Sequence, residues 1–133
     1  MEKPVVEVAV AIIHHEGRYL ITRRRRDVHL ADLWEFPGGK RNSGESLEEC
    51  LLREAEEELG VRIGIEALFF RLAHDYPDRT VVLHAYLCRL TAGKPKPLAA
   101  QELRWVSPAE LLSYPFPEAN ASFLKQLAER KID

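Results

Sequence analysis

GKRNSGESLEECLLREAEEELGV, running from Gly39 to Val61, decides how this 133-residue chain is read. Its first third is a glycine-bearing turn and the rest is one helix. Ser46 followed by Glu49 is a capping box, which satisfies two of the free amides at a helix start. Gly60 suits the left-handed position just past the last turn. Leu47, Cys50, Leu51, Ala55 and Leu59 fall on one stripe, the face that must be buried. Ala55 is small enough to let that face approach a sheet closely. On the other side, Glu54, Glu57 and Glu58 are three or four residues apart and converge on one patch. Like charges at that spacing repel, so helix stability alone does not favour them. They have two readings: a solvated acidic face tied down by Arg53, or an oxygen-only site for a hard divalent cation.

The spacing favours the second reading. Gly39, five residues, Glu45, seven residues, Arg53-Glu54, then Glu57-Glu58 and Gly60-Val61 resembles the Nudix box, G-x5-E-x7-R-E-U-x-E-E-x-G-U, where U is bulky and apolar. Eight of its nine specified positions are met, and Ala55 fills the ninth with an apolar but small residue.

Composition and charge leave room for such a protein and exclude several others. Apolar residues make up 46% and charged residues 30%, against a disordered chain. A length of 133 residues is expected to give a single domain over 1–133 with a real core. The net charge of −2 gives no footprint for a nucleic-acid polymer. Arg23, Arg24, Arg25 and Arg26 are clustered, however, and one or two of them are expected to reach a ligand. Cys50 and Cys88 sit in apolar patterns, so reduced buried thiols in a cytoplasmic protein are the expectation. The apolar run Val8 to Ile13 is too short to span a membrane.

Along the chain, Val5–Ile13 and Arg18–Arg24 read as strands joined across His14-His15-Glu16-Gly17. Residues 25–33 read as a loop. Trp34-Glu35-Phe36 is a short extended piece that Pro37-Gly38-Gly39 is expected to stop. Ile65–His74 and Thr80–Leu90 read as strands joined by the turn formers in Asp75–Arg79. Leu103–Val106 is another strand, and Ser107-Pro108-Ala109-Glu110 opens a short helix. A last amphipathic helix, roughly Asn120 to Arg130, carries Phe123, Leu124 and Leu127 on one side. Strands flanking a central helix, with a helix at the end, suggest a mixed sheet packed between helices. The resemblance implies the same α/β class: the Nudix α/β/α sandwich.

The resemblance also implies an enzyme that hydrolyses a diphosphate linked to another moiety, with Mg²⁺ as cofactor and Mn²⁺ as a possible substitute. Glu54, Glu57 and Glu58 match the metal-binding glutamates, and the carbonyl of Gly38 is a further candidate ligand. Arg53 matches the arginine that orients a neighbouring glutamate. With Glu54, Glu57 and Glu58 it makes up the expected catalytic set. Gly39 and Glu45 shape the loop, and Glu45 has the further option of binding metal through water. Lys40 and Arg24 are placed to meet phosphate oxygens. Relatives carry another glutamate on the loop before the strand holding Trp105, where this chain has Ala99. Glu102 is the nearby substitute as metal ligand or base, and Glu54 is the base if Glu102 cannot reach.

Within the family the resemblance is nearest to members that hydrolyse 8-oxo-dGTP to the monophosphate and pyrophosphate. It rests on Ile21-Thr22-Arg23-Arg24, Leu33 to Lys40, Tyr76-Pro77-Asp78-Arg79 and Phe116 to Asn120. Asn120 falls where such members read the purine edge. An amide sets a donor beside an acceptor, which complements the N7–H and O6 of 8-oxoguanine; guanine itself offers two acceptors. The plainer reading makes Asn120 an N-cap of the last helix. Phe36, Tyr76 and Arg79 are expected to enclose the base, and His29 to line the pocket. Adjacent His14 and His15 point to opposite faces and cannot share a metal, while His74 and His84 read as strand residues. Two alternatives stay open: a cytidine-nucleotide pyrophosphohydrolase, and a non-catalytic base-binding module, which commonly loses box carboxylates that are all present here. The expected partner is a small-molecule nucleoside triphosphate, with no nucleic acid and no membrane, in a monomer or homodimer.

Overall fold

In the computed structural model, which describes residues 2–131, the chain runs β1 (Val5–His15), β2 (Arg18–Arg23), β3 (Trp34–Glu35), β4 (Gly38–Lys40), α1 (Leu47–Leu59), β5 (Arg62–Asp75), β6 (Thr80–Ala92), β7 (Glu102–Val106), α2 (Pro108–Leu111) and α3 (Ala121–Glu129), with a 3₁₀ turn at Glu118–Asn120. The seven strands form one mixed sheet of order β3-β2-β1-β6-β5. β1 and β6 run parallel at its centre, in register from Val5↔Thr80 to His14↔Arg89.

One edge of β1 is shared, and this shapes the site. At its end β1 turns through Glu16-Gly17, both with positive φ, and pairs with β2 only at His14↔Tyr19 and His15↔Arg18. β2 then leaves β1 to pair with β3 and β7. The vacated edge of β1 takes β4, through Val8↔Lys40, Ala9↔Gly39 and Val10↔Gly38. Gly38 and Gly39, expected to stop the chain, are therefore strand residues. No tight turn forms because Pro37 O accepts from Ala11 N–H at 2.8 Å, so the chain enters the sheet extended.

Alternation along β1 sends side chains to two cores. Ala9, Ala11 and Ile13 pack with Leu20, Cys88 and the α1 stripe of Cys50, Leu51, Ala55 and Leu59. Ile12 joins Tyr19, Trp34 and Phe36 beneath Leu111, Phe123, Leu124 and Leu127. The sheet thus lies between α1 and the α2–α3 pair, the sandwich expected from the sequence. Each large apolar side chain buried this way contributes about 1.5–3 kcal/mol. Tyr19 Oη also donates to Leu127 O at 3.1 Å, pinning α3 to β2.

Both predicted capping boxes are formed: Ser46 with Glu49 and Ser107 with Glu110. Gly60 sits at φ 69°, the left-handed cap. β5 begins at Arg62, three residues before the expected Ile65, because Ile63 is buried under α1 and pairs with Leu90. Cys50 and Cys88 are free and buried, and burial pushes the Cys88 thiol up to about 12. Among the described residues no helix is long and apolar enough to cross a membrane.

Candidate active site

α1 presents its polar face to β4, and the contact is set by two glycines. A β-carbon on Gly39 would lie 2.6 Å from Glu54 Oε1, so the glutamate occupies the space a side chain would take. Gly38 N–H donates to Glu58 Oε2 at 2.9 Å. The absence of side chains at Gly38 and Gly39 is what lets the α1 carboxylates come down onto the backbone.

Arg53 organises the rest. Its Nε and Nη2 grip Glu45 Oε2 and Oε1 at 2.7 and 3.0 Å. Nη2 also donates to Lys40 O at 3.1 Å, and Nη1 to Glu54 Oε1 and Glu57 Oε2 at 2.8 and 3.2 Å. This forked grip needs a guanidinium. The Arg53 hydrogen bonds and then the Asn42 N–H hold Glu45 down at about 2. Glu54 and Glu58 move the opposite way. Burial raises Glu54, against the pull of Arg53. Burial first, then the nearby charges of Glu54, Glu35 and Glu57, pushes Glu58 up to about 8, opposed by the Gly38 N–H.

Two neighbouring carboxylates that resist ionisation, as Glu54 and Glu58 do, are short of positive charge. Their donors are all oxygens, and with no side chain at Gly39 the Glu54 carboxylate lies directly against β4. That chemistry fits a hard divalent cation. Among the described residues no three His, Cys, Asp or Glu side chains form a closed ligand set in this conformation. The reason is visible: Arg53 draws Glu54 and Glu57 toward itself, while Gly38 holds Glu58.

Two clefts adjoin this face. One is lined by Thr22, Arg24, Glu35, Glu58, Ala99 and Ala100 among others. The second is lined by Val8, Val10, Arg24, Glu35, Phe36, Gly38, Gly39, Leu83, Pro117 and Asn120. Arg24 and Glu35 line both, with Arg24 Nη1 donating to Glu35 Oε1 and Oε2 at 3.1 and 2.9 Å.

The structure therefore gathers Gly38, Gly39, Glu45, Arg53, Glu54, Glu57 and Glu58 at one end, and Arg24, Phe36 and Asn120 beside them. Asn120 stands at the N-cap position of α3 but makes no side-chain cap bond there; its Nδ2 donates to Pro117 O at 3.3 Å. Lys40 stands at the exposed end of β4.

The structure places three of the expected groups differently. Tyr76 and Arg79 do not enclose the cleft: they sit at the exposed β5–β6 turn, where Arg79 stacks on Tyr76 at 5.7 Å and Tyr76 meets His74. His29 is exposed, and it is its backbone carbonyl that accepts from Arg24 Nε at 2.9 Å. Glu102 does not replace the missing loop glutamate, because Arg23 and Arg104 each hold it at 3.3 Å on β7. Arg24 stays in the wall of both clefts, with its Nη1 paired to Glu35 at 2.9 Å.

Glu35 is the residue the sequence reading passed over. Trp34 and Phe36 are buried, so Glu35 between them must face the other way. That period-two pattern was a usable signal. His14 and His15 do diverge, to Glu66 and toward Trp105.

Comparison with known proteins is consistent with this geometry. A family model described as NUDIX domain matches residues 8–126. The chain is 37% identical over 123 residues to an 8-oxo-dGTP diphosphatase of Escherichia coli K12, covering 92% of this chain and 95% of the relative. It is 34% identical over 121 residues to a CTP pyrophosphohydrolase of the same organism, covering 91% and 90%. Among solved structures, MutT from a study of Aliivibrio salmonicida and Vibrio cholerae superposes with a TM-score of 0.80 at 31% identity, covering 94% of this chain and 97% of that one.

Proposed function

The chain belongs to the NUDIX family, and from that premise we propose that it is a Mg²⁺-dependent pyrophosphohydrolase of 8-oxo-dGTP, releasing the monophosphate and pyrophosphate. The observation that carries this reading is the shared Arg24–Glu35 wall. It joins a cleft holding Glu58 to a cleft holding Asn120, so one nucleotide can present phosphates to the first and base to the second.

In this reading Glu54, Glu57, Glu58 and the Gly38 carbonyl would hold the cation. When bound, a divalent ion neutralises phosphate charge, polarises the attacked phosphorus and acidifies water. Arg53 keeps Glu54 and Glu57 oriented and fixes Glu45 beneath them. Phe36 offers an apolar wall to the base, and the Asn120 amide pairs with the N7–H and O6 of an oxidised purine. Leaving one buried group unpaired costs about 1–3 kcal/mol, enough to set dGTP apart from its oxidised form. With Glu102 held by two arginines and Ala99 at the loop, Glu54 is the base we propose. Free buried thiols suit a reducing cytoplasm, where such an enzyme would clear oxidised nucleotide before it caused mutation.

The CTP pyrophosphohydrolase relative supports a second reading, a cytidine-nucleotide enzyme. Pyrophosphate release should be measured with Mg²⁺ over 8-oxo-dGTP, dGTP, CTP, dCTP and ADP-ribose. Catalytic efficiency highest on 8-oxo-dGTP, and abolished by chelation, is expected. Highest efficiency on CTP or dCTP would hand the protein to the second reading.

A further inference from the structure

We propose that Arg41, clamped by Glu7, is a positioning residue for the cation site. It fixes the loop from which Arg53 orients its glutamates, and the inference rests on the cation reading given above.

The contacts form a chain of alternating sign from the centre of the sheet to the carboxylates. Arg41 joins β1 twice: its N–H donates to Glu7 O and its Nε to Glu7 Oε2, both at 2.9 Å. The same guanidinium donates from Nη1 to Glu45 O at 2.9 Å. The loop closes on itself, with Asn42 N–H on Glu45 Oε1 at 3.0 Å and Glu45 N–H on Asn42 O at 3.1 Å. Glu45 is thus held by its carbonyl from Arg41 and by its carboxylate from Arg53. Nη1 of that same Arg53 serves Glu54 and Glu57. A planar fork transmits displacement, so movement of Glu45 must re-aim Arg53 and with it two proposed ligands.

Glu7 is also approached from a second side. His84, buried on β6, brings Nε2 to 3.4 Å from Glu7 Oε1, and that nitrogen has no hydrogen-bond partner among the described residues. Neither Glu7 nor Arg41 falls on a specified position of the box, and neither lines the clefts described above. The Glu7–Arg41 pair is about one-third exposed, so it contributes little to fold stability. Its consequence lies in where Glu45 stands.

The experiment is direct Mn²⁺ binding, by calorimetry or by loss of the free-ion electron paramagnetic resonance signal, on the nucleotide-free full chain. Wild type, Arg41→Gln, Arg41→Lys and Glu7→Gln are compared, with melting temperature recorded for each. Arg41→Gln and Glu7→Gln are expected to weaken Mn²⁺ binding roughly three- to tenfold, less than loss of a residue touching the ligands. Arg41→Lys should recover part of the loss, and the melting temperature should move little. Should Arg41→Gln fold poorly, Glu7→Gln alone carries the test, since it keeps the arginine and its backbone bond. Unchanged Mn²⁺ affinity in the folded variants, with or without a lowered melting temperature, overturns the positioning role and leaves the cation reading intact. Wild-type protein that binds no Mn²⁺ overturns both.

Discussion

Glu54 fills the space beside Gly39 that a side chain would need, with Oε1 2.6 Å and Cδ 2.7 Å from where a β-carbon would stand. Gly39→Ala should therefore push the flexible end of Glu54 aside while the fold survives. We expect turnover to fall about ten- to a hundredfold with a small change in melting temperature. Gly38→Ala should behave differently. There the added carbon would meet the Ala9 carbonyl oxygen at 2.2 Å, backbone against backbone, and φ is +155°. That variant should lose stability first, seen as a lowered unfolding midpoint in urea. Equal stability of the two would show that the β1–β4 contact is not as tight as described.

Glu58 gives a pH prediction with a definite sign. Its folded value of about 8 stands above its ordinary 4.5. Between those limits the folded protein holds a proton that the unfolded chain has lost. The stability of chelator-treated protein should therefore fall as pH rises from about 4.5 to 8, then level off. Glu58→Gln should flatten that slope and abolish turnover. Mg²⁺, which favours the ionised carboxylate, should oppose it in wild type. Urea titrations at about pH 5, 6.5 and 8 decide the matter, and an unchanged slope in Glu58→Gln would remove Glu58 as its source.

Asn120 makes no cap bond, so Asn120→Ala should cost little stability. On the proposed reading it should lower kcat/KM on 8-oxo-dGTP more than on dGTP, by about 1–3 kcal/mol of lost discrimination. Asn120→Asp should shift preference toward cytosine nucleotides, because a carboxylate accepts from N4–H₂. Equal losses on every nucleotide would mean that Asn120 reads no base.

Tyr76 and Arg79 provide a control. Both stand on the exposed β5–β6 turn, stacked on one another. Tyr76→Ala and Arg79→Ala should leave kcat/KM on 8-oxo-dGTP within about twofold of wild type. A large rise in KM in either would mean that this turn reaches the nucleotide.

By itself the sequence determined what depends on neighbours along the chain. α1, its capping box, its left-handed Gly60 and the division of its faces into apolar stripe and acidic patch follow from residues three to four apart. So does Arg53, whose reach to Glu54 and Glu57 is helical geometry. The strand pairs around β1 and β6 were legible from alternation and turn residues. Tertiary structure decided what depends on residues far apart. Whether Gly38 and Gly39 end a strand or form one turned on β2 vacating the edge of β1. What Arg24 pairs with in the cleft wall turned on Glu35, eleven residues on but brought beside it by the pairing of β2 with β3. Glu102 looked like a spare carboxylate until β7 set it between Arg23 and Arg104. Tyr76 and Arg79 fall in a stretch that resembles substrate-binding sequence, yet the length of β5 and β6 carries their turn out into solvent. Local spacing fixes which side chains share a face; only packing fixes which faces meet, and a charge is free or spent according to what it meets.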